Sequence, residues 1–156
     1  MAASFSMTGS VRVVPTWTEP LDLVDVVDKS TLVETLTLAN GTAANQANCY
    51  WKHVRTVAAS TTDTVDLTAL PLDVYGGTAT IGLANVRLIY VKNRSTTVAL
   101  SYAVGAEAVA LRPGGVFLWY APSNATAATY SATEVRVTNA GASAVDYELV
   151  LVGVKS

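Results

Sequence analysis

The sequence predicts an all-β protein: a β-sandwich of jelly-roll-like form, preceded by an extended N-terminal arm. Three observations lead there. Apolar and polar residues alternate with a period of two. In Thr97-Val98-Ala99-Leu100-Ser101-Tyr102, for example, Val98, Leu100 and Tyr102 share a face, and Val135-Arg136-Val137-Thr138 repeats the pattern. Turn chemistry cuts the chain at short intervals, at Asn40-Gly41, Gly76-Gly77, Asn93-Arg94-Ser95, Gly105, Pro113-Gly114-Gly115, Pro122-Ser123-Asn124 and Asn139-Ala140-Gly141. Helical spacing is hard to find. Many short strands with no helices between them belong to sandwiches and barrels.

Taken in order, the strands fall near residues 11–14, 32–39, 49–59, 63–68, 85–93, 97–103, 107–111, 115–121, 128–131, 134–139 and 144–152. The stretch "LDLVDVVDKSTLVETLTL", Leu21 to Leu38, is the best helical candidate, with a short turn conceivable over Leu21 to Val27. It is filled with Val, Thr and Leu and interrupted by Asp, so it reads as strand or extended arm. This divides the chain into an arm, residues 1–34, and a sandwich domain, residues 35–156.

"LRPGGVFLWYAPS", Leu111 to Ser123, holds the densest run of bulky apolar residues, between two breakers. A strand apolar on both faces is covered on both faces. Pro113 cannot donate to a ladder and the glycines permit a sharp entry turn. One face of 115–121 therefore meets the core. The other meets a loop or another subunit. "VKNRSTTVALSYAVG", Val91 to Gly105, is echoed by "VTNAGASAVDYELVLVG", Val137 to Gly153. Each has Val-x-Asn, a small polar turn and a Val-led strand, so both are expected to be hairpins of one sandwich.

The 156 residues suit one domain with an arm. Hydrophobic residues make up 51% and charged residues 14%, against a usual charged share of about 25%. Such a chain has little charge to cover a free surface, so part of its exterior is expected to pack against something. With a net charge of −2 and no Lys/Arg cluster, no nucleic-acid partner is expected. No apolar stretch reaches the ~20 residues of a membrane helix, and Met1 to Ser10 do not read as a secretory signal. Asn40, Asn93 and Asn124 open Asn-x-Ser/Thr triplets, read here as turns. With a single cysteine there is no internal disulfide, and synthesis in the cytoplasm fits.

No catalytic, metal or cofactor site is expected. Cys49 and His53 share a strand face but sit about 13 Å apart, beyond the reach of a Cys–His pair. A zinc site needs more ligands than the chain offers nearby. Asp22, Asp25 and Asp28 recur every three residues, which is not a calcium-loop pattern. Asp63 and Asp66 suit turn and cap hydrogen bonds. The aromatics are the better candidates. In Tyr50-Trp51 and Trp119-Tyr120, adjacent rings point to opposite faces, one inward and one outward. Trp17, Trp51, Phe117, Trp119 and Tyr120 are therefore the candidate interface residues, more for protein than for sugar.

"NGTAANQANCYWKHVRTVAASTTDTVDLTAL" (Asn40 to Leu70), "GGTATIGLANVRLIYVKNRSTTVALSYAVG" (Gly76 to Gly105), "LRPGGVFLWYAPS" and "VRVTNAGASAVDYELVLVG" (Val135 to Gly153) occur in that order. In series they resemble a set of segments found in structural proteins of tailed-phage virions. The resemblance covers about residues 35–154 and is weaker over the first 34. It implies a virion component, made in the host cytoplasm. The leading expectation is a capsid decoration or cement protein that binds the major capsid protein and itself, as a homo-oligomer for which a trimer is attractive. The alternative is a tail, fibre or collar component, with a glycan as a candidate ligand. An enzyme is not expected.

Overall fold

In the computed structural model of the chain, residues 5–20, 25–71, 80–81, 83–104, 107–123 and 133–155 are described. Among them the fold is all-β. The strands are β1 (Met7–Val13), β2 (Thr16–Pro20), β3 (Asp25–Lys29), β4 (Leu32–Asn40), β5 (Gln46–Ala47), β6 (Cys49–Val57), β7 (Thr61–Asp66) and β8 (Leu70–Pro71). Then come β9 (Thr80–Ile81), β10 (Leu83–Asn93), β11 (Leu100–Val104), β12 (Glu107–Leu111), β13 (Val116–Tyr120), β14 (Glu134–Asn139) and β15 (Val145–Lys155).

Eight of these form two open four-stranded antiparallel sheets, ordered β13-β10-β15-β6 and β12-β11-β14-β7. The pairings are nested: β6 with β15, β7 with β14, β10 with β13, and β11 with β12. Alternation turns one face of each sheet inward. Trp51, Ile89, Val91, Leu149 and Leu151 from the first sheet share one buried cluster with Val65, Leu100, Tyr102, Val135 and Val137 from the second. The ring of Tyr102 meets that of Phe117 across the layers, with centroids 5.0 Å apart.

The echoed Val-x-Asn motifs occupy equivalent places. Asn93 ends β10 and Asn139 ends β14, and both side chains are fully buried. The Asn93 amide donates towards the carbonyls of Val98, Leu111 and Arg112 at 2.8–3.2 Å, while its oxygen accepts from Ser95 N–H. Asn139 faces Val57, Ala58 and Ser143 carbonyls at 2.8–3.3 Å and accepts from Gly141 N–H. Each ties a turn to its neighbours. Since Ser95 also holds the N–H groups of Thr97 and Val98, the strand predicted from residue 97 begins only at Leu100.

The opening turn of the apolar run is visible in detail. Gly115 N–H donates to Arg112 O at 2.8 Å, with Pro113 and Gly114 between them and Gly114 at φ +70°. This is the position of a Pro-Gly turn that needs a left-handed residue. Further along the chain, β10 carries a bulge between Val86 and Leu88 in its pairing with β15. Facing a second irregularity of the same pairing, Gly153 lies so close to β10 that a Cβ there would sit 2.2 Å from Asn85 O.

Residues 7–20 and 25–40 form a ribbon. β1 pairs with β4 from Met7↔Leu38 to Val13↔Leu32, and β2 pairs with β3 from Thr16↔Lys29 to Pro20↔Asp25. The two registers are continuous, so the pairs make one two-stranded ribbon about 45 Å long at ~3.4 Å per residue. The arm and its seat share β4, whose far end pairs in parallel with β5. Asp25–Lys29 is strand where a helical turn was conceivable, while residues 21–24 lie outside the described residues. So does the strand predicted at 128–131. β5, β8 and β9 have two residues each and were not anticipated.

Candidate assembly surface

The outer face of the β13-β10-β15-β6 sheet is built in rows set by the register. The first row is Tyr120, Leu88, Val152 and Tyr50. The second is Leu118, Tyr90, Val150 and Lys52. The third is Val116, Lys92, Glu148 and Val54. An open antiparallel sheet facing water alternates towards polar residues on this face. Here most of the twelve positions are apolar or aromatic.

The chain covers the first row itself except at Tyr50. Leu36, Leu38 and Ala47, on β4 and β5, pack with Leu88 and Val152, and Phe5, Met7, Tyr90, Tyr120 and Val150 close around them. The bulge places Arg87 beside Leu88. The Arg87 side chain is 1% exposed and points its guanidinium at the carbonyls of Ala43 and Gln46, each at 3.4 Å. It fastens the 41–47 turn to the sheet. In that turn, Asn45 adopts a left-handed φ of 59° and donates its N–H to Pro122 O. Tyr120 completes the seat: its hydroxyl accepts from Thr37 N–H at 3.1 Å and donates to Thr37 O at 2.8 Å. In effect it stands in for a neighbouring strand along the free edge of β4.

The remaining rows are open. On β13 Val116 is 52% and Leu118 38% exposed, and at the other edge of the sheet Val54 and Tyr50 of β6 are exposed. Lys52 and Glu148 form an ion pair at 2.6 Å. Their hydrogen bond raises the ammonium pKa and lowers the carboxyl pKa. Lys92 and Arg94 also lie near Glu148, so positive charge is in excess here. Beyond its root the ribbon carries exposed apolar side chains, with Leu32 at 64%, Val13 at 49%, and Val11, Val14, Val27 and Val33 also bare. Directly paired residues share a face. Met7/Leu38, Gly9/Leu36, Val11/Glu34 and Val13/Leu32 therefore form one stripe, seated at its root and bare beyond.

The predicted interface residues separate on this surface. Trp17 lies on β2, paired with Asp28. Trp51 is corrected: it is 4% exposed, donates its indole N–H to Pro71 O at 2.8 Å and stacks on His53. In that pair the outward ring is Tyr50. Phe117 and Trp119 are half-buried against the shared core. Tyr120 is half-buried too, but under the chain's own arm. The apolar residues that solvent reaches on β13 are Val116 and Leu118. Sequence reasoning passed over them for the larger rings, although Leu118's place between Phe117 and Trp119 on an alternating strand, with Val116 two residues before it, was a signal.

The remaining chemistry serves structure. Cys49 is buried, which pushes its thiol pKa up, and the His53 ring lies against Trp51. Asp66 takes the turn role expected of it, accepting from the Thr68 N–H and hydroxyl. Asp63 does not, and this is a correction. It accepts two hydrogen bonds from Arg55, at 2.7 and 2.8 Å, and one from the Tyr147 hydroxyl. The Arg55 bonds pull its carboxyl below the ordinary value of 3.8, against partial burial. Burial, then the Asp63 contact, raises the Tyr147 phenol. Two shallow hollows of about 400 Å³ flank Arg94 and Ser95, one lined also by Lys92 and Pro113, the other by Thr56 and Asp146. Neither has an aromatic wall on which a sugar would stack. Among the described residues no group of three His, Cys, Asp or Glu side chains could hold a metal ion. No helix among them is long and apolar enough to cross a membrane. Comparison with known protein families, curated proteins and solved structures finds no match to this chain.

Proposed function

We propose that this chain is a structural component of a phage virion: a capsid decoration or cement protein that binds the major capsid lattice and its own neighbours, and has no catalytic role. One observation carries the assembly part of this reading. A long arm and a sheet face both keep large apolar residues in water, more than a charge-poor monomer leaves bare without a purpose. The four resembling segments supply the virion part. The nested strand pairing supports a jelly roll, since four nested hairpin pairs rolled together give these two strand orders. That architecture is common in capsid domains. The second reading is a tail, fibre or collar component that binds a glycan; the two hollows beside Arg94 offer no aromatic wall to a sugar.

Particles assembled without this protein provide the test. Added back, the purified protein should bind mature capsids in a fixed, saturable ratio, and a tagged copy should decorate the head. Label on the tail alone would establish the second reading. No binding to any part of the particle would end both.

A further inference from the structure

We infer that the far end of the β1–β4 part of the ribbon, around Val11, Val13 and Leu32, docks on the open rows of the outer sheet face of a second copy of this chain. The inference deepens the assembly reading above and rests on it. The fold already contains the contact once: at the root of the ribbon, Leu36 and Leu38 lie on Leu88 and Val152 of this same sheet face. Further out, the same stripe continues as Val11, Val13 and Leu32, all exposed. Below the seat, the same sheet face continues as Leu118 and Val116, also exposed. A ribbon and a sheet that already fit each other are thus each half used.

Charge agrees with this pairing. Glu34 is the one charged residue on the stripe between Met7/Leu38 and Val13/Leu32. Lys92 stands beside Val116 on the open rows, where Lys52 has already engaged the neighbouring Glu148. A second copy's Glu34 would meet a site where Lys52, Lys92 and Arg94 share the single carboxylate of Glu148, while its valines and Leu32 cover Val116 and Leu118. If two copies exchange arms about a two-fold axis the contact is made twice, and a ring of three or more makes it once per copy.

The test mixes two single variants, Leu32→Cys and Leu118→Cys, carrying different affinity tags, under mild oxidation. Cys49 is buried with a raised thiol pKa and stays out of the reaction. The inference expects a mixed disulfide between the two tags as the main product, well above the like-with-like products of either variant alone. In parallel, Glu34→Lys and Lys92→Glu should each weaken self-association several-fold, and the double exchange should restore most of the loss. An oligomer that gives only like-with-like disulfides, or in which the two charge effects simply add, overturns the inference. Capsid binding would then still stand as the separate test of function. A wild-type chain that is monomeric at every concentration overturns it as well.

Discussion

Asn93 and Asn139 do the same work at the ends of β10 and β14, each filling a buried turn with an amide that faces three carbonyls. Removing such an amide orphans acceptors that water cannot reach, at a cost of about 1–3 kcal/mol. Asn139→Ala should lower the urea midpoint accordingly without changing the denaturant slope, and Asn139→Asp should do no better, because a carboxylate brings no donor. A shift near zero would show that the hub is dispensable. The sequence exposed both residues through the repeated Val-x-Asn, but gave no sign of their burial, which depends on carbonyls up to 82 positions away. Asp63 was less legible still, because its partners Arg55 and Tyr147 lie on two other strands. Its folded pKa lies below 3.8. The stability it contributes is therefore complete above the unfolded value, and it drains away as pH falls through the folded one. Acid titration of Asp63→Asn should show a lower plateau at neutral pH and a flatter decline below pH 3.8 than the parent. Parallel curves would deny the network that role.

Strand β13 shows how far an element can be read from its own residues. The breakers and the two-faced apolar pattern set its limits to within a residue, and they required cover on both faces. They could not say that β4 of the same chain supplies part of that cover, since the match is made 83 positions away through Tyr120 and Thr37. The strand character of residues 25–29 was open in the sequence between extended chain and a helical turn. The pairing of β2 with β3 was not legible, because residues 21–24 carry no Asn-Gly or Gly-Gly hairpin signal. Removing the Tyr120 hydroxyl tests the seat alone. Tyr120→Phe should speed amide exchange at Thr37 by about 2- to 10-fold, the worth of one net hydrogen bond, and leave exchange in β11 and β14 unchanged. A change spread evenly over the whole sandwich would mean that arm and body open as one unit. At the other irregularity, Gly153→Ala must push β10 and β15 apart and should lower the melting temperature by several degrees, as expected where a new side chain strikes backbone. An unchanged melting temperature would mean that the strands there separate freely.

Across the molecule, alternation and turn residues were enough to foresee an all-β fold of antiparallel sheets, because each strand carries its own face pattern. Strand order was out of reach, since the nested pairing joins the first of the eight strands to the last. Low charge correctly warned of uncovered apolar surface. Trp51 packs in the chain's own core and Trp119 against it, and the bare apolar surface is made of valines and leucines on the ribbon and on β13, with Tyr50 and Val54 on β6. The central claim is that a single folded copy leaves this surface incomplete and that neighbours close it. Sedimentation velocity of the full-length protein from low to high micromolar concentration tests it most directly. The account predicts a defined oligomer for the wild type, reduced to monomer by Leu32→Glu or Leu118→Glu with the circular dichroism spectrum unchanged. A wild-type protein that sediments as a monomer across the whole range would contradict it.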